Sequence, residues 1–212
     1  MARNTSFPKP LSAAQERIQQ AALRLFAERG MEHVNVSDLA FSARVARGTV
    51  YNNRQASIKD VFEDTVSRLS AEMHERVNRT NSSIDDPVQR LANGMRFFVR
   101  RAYEEPDWGA FIVRFGMNDE SLRQMWHGQP RKDIAHGIAA GDYKLLPGQL
   151  PSAIMMVGSN TLGAMFLVLH GHRSWRAAGS DATELTLRAF GVRPQRAKAA
   201  ATADLGALLR ID

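Results

Sequence analysis

Two very short helical patterns, set almost end to end inside the first sixty residues, constrain this chain more than any other feature of its sequence. Asn35 followed by Asp38 is a helix-start signature, and Val36, Leu39, Ala40 and Ala43 then give one apolar side. A second segment, Val45–Asn53, begins only a few residues later. Neither can stand alone, because helices this short gain too little from their own hydrogen bonds to hold in water. The flanking sequence supplies the support. Ser12 with Gln15 opens a longer amphipathic helix in which Ile18, Ala22, Leu25 and Phe26 recur at helical spacing until Gly30 stops it. Ser57 with Asp60 opens a fourth helix, with Val61, Phe62, Val66, Leu69 and Met73 forming a stripe that runs out towards Asn78.

With the first and fourth helices burying the inner faces of the short pair, the outer face of the third helix is left free, which is the arrangement that presents a helix to a major groove. That face carries Arg47, Thr49, Asn52 and Asn53. Arginine pairs bidentately with guanine and asparagine with adenine, while the threonine methyl meets that of thymine. Tyr51 can offer its hydroxyl and Lys59 its charge to phosphates, and Arg44 and Arg54 are further phosphate candidates. Charge agrees with this placement. Of a net +6, residues 1–60 hold nine Lys and Arg against five Asp and Glu, and residues 61–212 nineteen against seventeen. Arg3, Lys9, Pro8 and Pro10 read as a basic arm ahead of the first helix.

From Ile18 to Tyr51 the sequence resembles the tetracycline-repressor-like (TetR) family of regulators. The resemblance rests on Ala21-Ala22, Leu25-Phe26-Ala27-Glu28-Arg29-Gly30, Val36-Ser37-Asp38-Leu39-Ala40 and Val45-Ala46-Arg47-Gly48-Thr49-Val50-Tyr51, and resumes from Ser57 to Phe62. It implies an all-α chain with a three-helix DNA-binding head (residues 1–60) containing a helix-turn-helix. A larger helical-bundle body (residues 61–212) would follow, beginning with a linking helix, binding a small effector and dimerising. Three positions depart from the family pattern. Arg44 stands where the turn usually has glycine, at a cost of about 1–2 kcal/mol if the backbone is left-handed there. Ala46 replaces the usual Ser or Thr cap, forgoing about 1 kcal/mol. After Tyr51 an aromatic residue is replaced by a segment containing Arg54 that is one residue longer.

The body reads as helices over Pro87–Tyr103, Pro106–Phe115, Asp119–Ala139, Pro151–His170, Asp181–Phe190 and Pro194–Leu209, with no strand alternation. Polar residues 78–86 read as the connection between the two functional parts, and Gly171 and Gly179 as the brackets of a loop. Aromatic residues mixed with methionines suit a pocket for a small apolar or aromatic effector, with Phe97, Phe111, Arg114, Trp126, His136, Met156 and Asn160 as its candidate lining. Gly158, Gly163 and Ala164 would let the penultimate helices approach a symmetry mate or pack within one subunit. A two-fold dimer of this kind would set two recognition helices about 34–36 Å apart on a palindromic operator.

Other classes find less support. Asp133 and His136 have a metal-binding spacing but no second such motif, so neither metal nor any other cofactor is expected. No phosphate-binding glycine loop or serine elbow is present, leaving a helical-bundle enzyme or metal protein and a protein-binding adaptor as alternatives to a non-enzymatic regulator. With no cysteine, no secretory apolar segment at the start, and an apolar run from Leu162 to Leu169 well short of a bilayer span, the expected location is the cytoplasm, with no membrane partner.

Overall fold

A computed structural model describes residues 11–52 and 57–209 of the chain, leaving the side chains of Asn52 and Pro147 aside. Among these residues there are eleven α-helices and no strand. The chain divides into two compact units, residues 1–69 and 70–212.

In the first unit, α1 (Ala13–Arg29), α2 (Val36–Ala43), α3 (Arg47–Asn52) and the beginning of α4 (Ile58–Thr80) bury the stripes expected of them. Ile18, Ala22, Leu25 and Phe26 of α1, Leu39 and Ala43 of α2, Val50 of α3 and Val61, Phe62 and Val66 of α4 are all buried. Phe26 meets Phe62 edge-on with ring centroids 5.4 Å apart. Each large apolar side chain buried in this way contributes about 1.5–3 kcal/mol. The caps are the ones the sequence suggests. Reciprocal hydrogen bonds join Ser12 to Gln15, Asn35 to Asp38 and Ser57 to Asp60.

The second unit is organised around α5 (Pro87–Glu104), which packs on α6 (Pro106–Phe115), α8 (Gln129–Ala139), α9 (Leu150–Leu169), α10 (Trp175–Ala189) and α11 (Pro194–Thr202), while α7 (Glu120–His127) packs on α8 and α9. Four expectations need correction here. The helix foreseen over Asp119–Ala139 is two helices, because Pro130 can neither donate to nor fit against the preceding turn, and the chain breaks at Gly128. The loop foreseen between Gly171 and Gly179 is shorter. Ser174 caps Ala177 and starts α10 at Trp175, and Gly179 lies inside that helix, where a Cβ would sit 3.6 Å from Val99 and Arg96. Residues 78–86, foreseen as the connection between the two parts, lie within the second unit, starting in the last turn of α4. Thr80 ends α4, and Arg90 then donates to the carbonyls of Asn81 (2.8 Å) and Ile84 (3.0 Å) while Asn93 donates to the Asn81 side chain (3.1 Å), tying the turn into the second unit.

The fourth correction concerns residues 203–209, foreseen as helix. The chain leaves α11 at Ala203 and continues without helix, its backbone held by arginine side chains. Arg96 donates to Ala203 O (2.7 Å), Arg100 to Gly206 O (3.1 Å) and Arg76 to Leu209 O (3.0 Å), and Thr80 Oγ1 accepts from Leu209 N (3.1 Å). The apolar helix α9 is also longer than the run read from sequence. Its 20 residues suffice by length and composition to cross a membrane, yet 44% of its most apolar stretch is buried within the protein, against α5, α6, α7, α8 and α10.

Candidate nucleic-acid interface and effector cavity

The turn between α2 and α3 is built as a helix C-terminus. Val45 N–H returns to Ala40 O (3.0 Å), and Arg44 adopts the left-handed conformation at φ 54° and ψ 49°. Arg44 is the one non-glycine residue with positive φ among those described. The position therefore carries the steric cost foreseen for it. Arg44→Gly should relieve that cost, offset in part by glycine's larger entropy when unfolded, and raise the unfolding free energy by about 0.5–1 kcal/mol in urea denaturation.

α3 begins at Arg47, with Thr49 N–H bonded to Ala46 O (2.9 Å) through the backbone alone. Val50 is fully buried and pins the helix, so that Arg47 and Tyr51 are exposed and Thr49 half-exposed. Arg44 is also exposed, and Lys59 is exposed but 3.6 Å from Glu63. Asn53, Arg54 and the basic arm lie outside the described residues, as does the Asn52 side chain. The structure adds Phe41, which is 89% exposed on the face of α2 opposite Leu39, Ala40 and Ala43. Helical spacing alone leaves Phe41 off the buried stripe, and that signal was available in the sequence. α2 itself is held firmly. Arg24 donates to Ser42 Oγ (2.7 Å), and Arg29 pairs with Asp38 at 3.8 Å.

The second unit contains a small, partly open cavity of about 30 Å³. Its walls are Leu91, Met95 and Phe98 of α5, Met125 and Trp126 of α7 and Val157 of α9, with Met73 and Val77 from α4. The Phe98 and Trp126 rings lie 5.1 Å apart, and Trp126 Nε1 is occupied by Gly116 O (3.1 Å), so indole presents only its apolar surface. The polar lining is His74, Arg90, Gln129, Asp133 and Thr161. Asp133 Oδ1 accepts from both Arg90 Nε and Gln129 Nε2, each at 2.9 Å. Thr161 Oγ1 donates to Val157 O (2.7 Å).

His74 hydrogen-bonds Met125 O through Nε2 (3.1 Å), which requires the proton on that nitrogen. Burial pushes this imidazole below its ordinary pKa of 6.5, against the opposing pull of the Met125 and Ser70 carbonyls. The folded protein thus takes up a proton at His74 less readily than the unfolded chain. Stability from this group is complete above pH 6.5 and is lost as pH falls towards the lowered folded value. His74→Gln, which keeps a donor for Met125 O, should flatten the decline in unfolding free energy between about pH 7.5 and 5.5 in urea titrations.

Of the seven residues foreseen for the pocket, the cavity is lined by Trp126. Phe97 and Phe111 are buried in the core outside it, and Arg114 and His136 are exposed. Met156 is exposed on the outer side of α9, and Asn160 Nδ2 donates to Thr186 Oγ1 (2.9 Å), tying α9 to α10. His74 and Asp133 also line this cavity, and neither is among the residues foreseen for a pocket. The outer side of α9 and α10 carries exposed Met156, Phe166, Leu167 and Leu185, with open space around Gly163. Gly158 instead faces inward, where a Cβ would sit 3.1 Å from the Trp126 ring, and Ala164 is buried.

Two family models match the chain. Residues 18–53 match "Bacterial regulatory proteins, tetR family" and residues 86–203 match "Tetracyclin repressor-like, C-terminal domain". A curated relative, the uncharacterized HTH-type transcriptional regulator YdeS of Bacillus subtilis (strain 168), is 32% identical over 128 residues, covering 57% of this chain and 60% of its own. Two solved structures share the fold. RolR in complex with its ligand resorcinol matches with a TM-score of 0.70 at 21% identity, over 92% of this chain and 96% of its own. FadR from Bacillus subtilis in complex with stearoyl-CoA matches with a TM-score of 0.68 at 17% identity, over 81% and 97%.

Proposed function

We propose that this chain, which belongs to the TetR family of bacterial transcriptional regulators, represses its target genes as a homodimer that binds a palindromic operator and is released by a small apolar or aromatic effector. The observation that carries the DNA-binding part is the packing of the head. Buried Val50 and the capped α2 present Arg47, Thr49 and Tyr51 outward on a short helix, beside exposed Arg44 and Phe41. Arg47 and Thr49 are suited to base edges, while Arg44, Tyr51 and Lys59 are suited to phosphates. Asn52 and Asn53, next in the sequence, are further candidates for base edges.

Dimerisation is supported by the exposed apolar side of α9 and α10, where Met156, Phe166, Leu167 and Leu185 would otherwise meet water and Gly163 admits a close neighbour. Effector binding is supported by the apolar cavity and by the structural neighbours RolR and FadR, which are complexes with resorcinol and with stearoyl-CoA. Release requires that the effector favour the conformation unable to bind DNA, since equal affinity for both states shifts nothing. Action in the cytoplasm follows from contact with DNA.

The test is selection of duplexes from a random pool by the intact protein, with binding then measured against salt and the oligomer sized by sedimentation. A dimer on a palindrome, with affinity falling steeply as salt rises, is the expected result. Equal affinity for selected and random duplexes at every salt concentration would sink the reading.

A further inference from the structure

We propose that the second unit carries a separate binding site for a small zwitterion of dipeptide size, in a polar cleft between α4, the end of α5 and the segment after α11. The cleft has a volume of about 630 Å³, far larger than the apolar cavity and within the roughly 300–1,000 Å³ of small-molecule sites. Glu72 and Arg76 line it from α4, and Arg100, Arg101, Glu104 and Glu105 from the end of α5, while Ala207 and Leu208 bound it on the side of the non-helical segment. All of them belong to the second unit.

The charged groups of the cleft are held in place. Arg101, whose side chain is 4% exposed, lies 3.0 Å from both Glu72 and Glu105, with its guanidinium 4.5 Å from the centre of the Trp108 ring. Arg100 pairs with Glu104 at 2.7 Å and lies 5.4 Å from the centre of the Trp175 ring. These contacts leave particular atoms over. Arg76 spends Nε on Leu209 O and Nη1 on Glu72, and Arg100 spends Nε on Glu104 and Nη1 on Gly206 O. Among the described residues, Nη2 of each therefore makes no hydrogen bond. Glu72 and Glu104 accept through Oε1, which leaves each Oε2 without a donor among the same residues.

Charge fixes the class of ligand. Three arginines and three glutamates sum to zero, so a lone anion meets the carboxylates and a lone cation the guanidinium groups. A molecule that carries both an ammonium and a carboxylate gains at each end. Arg76 and Arg100 donate through their free nitrogens to its carboxylate, and its ammonium donates to the free oxygens of Glu72 and Glu104. Size narrows the class further. A free amino acid bears both charges on one carbon, whereas a dipeptide spreads them along roughly 7 Å of extended chain, which suits a cleft of this volume. Leu208 and Ala207 offer apolar contact to small side chains between the two ends.

The experiment titrates the intact protein by calorimetry at pH 7 and low salt, where charges are least screened. The probes are L-alanyl-L-alanine, its N-acetyl derivative, which is an anion only, and its C-terminal amide, which is a cation only. The titrations are repeated on Glu104→Gln and on Gly94→Leu. Glu104 is 46% exposed and pairs with Arg100 alone, so glutamine there removes an acceptor charge from the cleft at little cost to the fold. Gly94 lines the apolar cavity, which leucine fills. Far-ultraviolet circular dichroism checks that each variant is folded. We expect the zwitterion to bind at least about tenfold more tightly than the anion or the cation, its advantage over the anion to shrink severalfold in Glu104→Gln, and Gly94→Leu to bind it as the native protein does. No binding of the zwitterion, equal binding of all three probes, tightest binding of the anion or the cation, or an advantage over the anion that survives Glu104→Gln would each overturn the proposal. So would loss of zwitterion binding in folded Gly94→Leu, which would place the molecule in the apolar cavity instead.

Discussion

Arg90→Met should lower the unfolding free energy by about 3–5 kcal/mol in urea denaturation, the largest loss expected of any single polar substitution in the second unit. Arg90 is buried to within a sixth of its surface and Asp133 more deeply, their side chains being 16% and 8% exposed. The guanidinium does three jobs at once. It neutralises Asp133, and it satisfies the carbonyls of Asn81 and Ile84 in the turn between α4 and α5. Methionine fills similar volume but leaves an uncompensated carboxylate and two carbonyls without donors. Adding Asp133→Leu to Arg90→Met should therefore recover roughly half of the loss, since replacing both members of a buried pair by apolar groups removes the charge penalty while the turn stays unsupported. A loss below about 1 kcal/mol for the single variant would show that water reaches the pair and that the cavity floor is not rigid.

The second large effect is on DNA. Arg47→Ala should weaken binding to a selected operator by about 1–3 kcal/mol, a factor of roughly five to 150, and relax preference at one base pair in each half-site. Tyr51→Phe should reduce affinity for operator and random duplex by similar, smaller factors, as loss of a phosphate contact does. Both side chains are exposed, so thermal melts of these variants should match the native protein. Val50→Ala provides the contrast. The residue is fully buried, and its truncation should cost about 2 kcal/mol of stability, weakening DNA binding through the fold rather than through contact. Fluorescence anisotropy on labelled duplexes reads all three. An Arg47→Ala variant with native affinity and native sequence preference would remove Arg47 from the base-reading face.

The head was legible because its signals are local. Capping pairs at spacing three and apolar stripes over two or three turns fix α1, α2 and α4 without reference to distant residues, and Arg44 revealed its left-handed turn by standing where glycine is expected. The cavity was less legible, and the differences between the residues foreseen for a pocket and those that line it have a common geometry. Phe97 stands beside the lining residue Phe98, Met156 beside Val157 and Asn160 beside Thr161. One residue along a helix is a rotation of about 100°, enough to turn a side chain from the cavity to the core or to solvent. α9 is apolar on more than one side, so its sequence pattern does not say which side faces inward. His136 stands one turn past Asp133, and the sequence offered no reason to rank a lone aspartate above a histidine. Likewise, the non-helical course of residues 203–209 depends on arginines more than a hundred positions away, a competition with helix that no local window contains.

That non-helical segment is gripped by its backbone. Arg76, Arg96 and Arg100 hold carbonyl oxygens, which every amino acid supplies, whereas Leu205 is the deeply buried side chain of the stretch. Sequence drift should consequently be uneven across the partnership. Ala203, Ala207 and Leu208 can be exchanged freely so long as no proline or bulk forces the chain off its path, while Asp204, whose carboxylate favours the charged form of Arg96, and the three arginines, lying in remote helices with no sequence proximity to the segment, bear the constraint. A saturation library scored for folded protein would record a tail permissive but for Asp204 and Leu205, with three intolerant positions far upstream, and a reader of that library alone would assign the arginines to some other task.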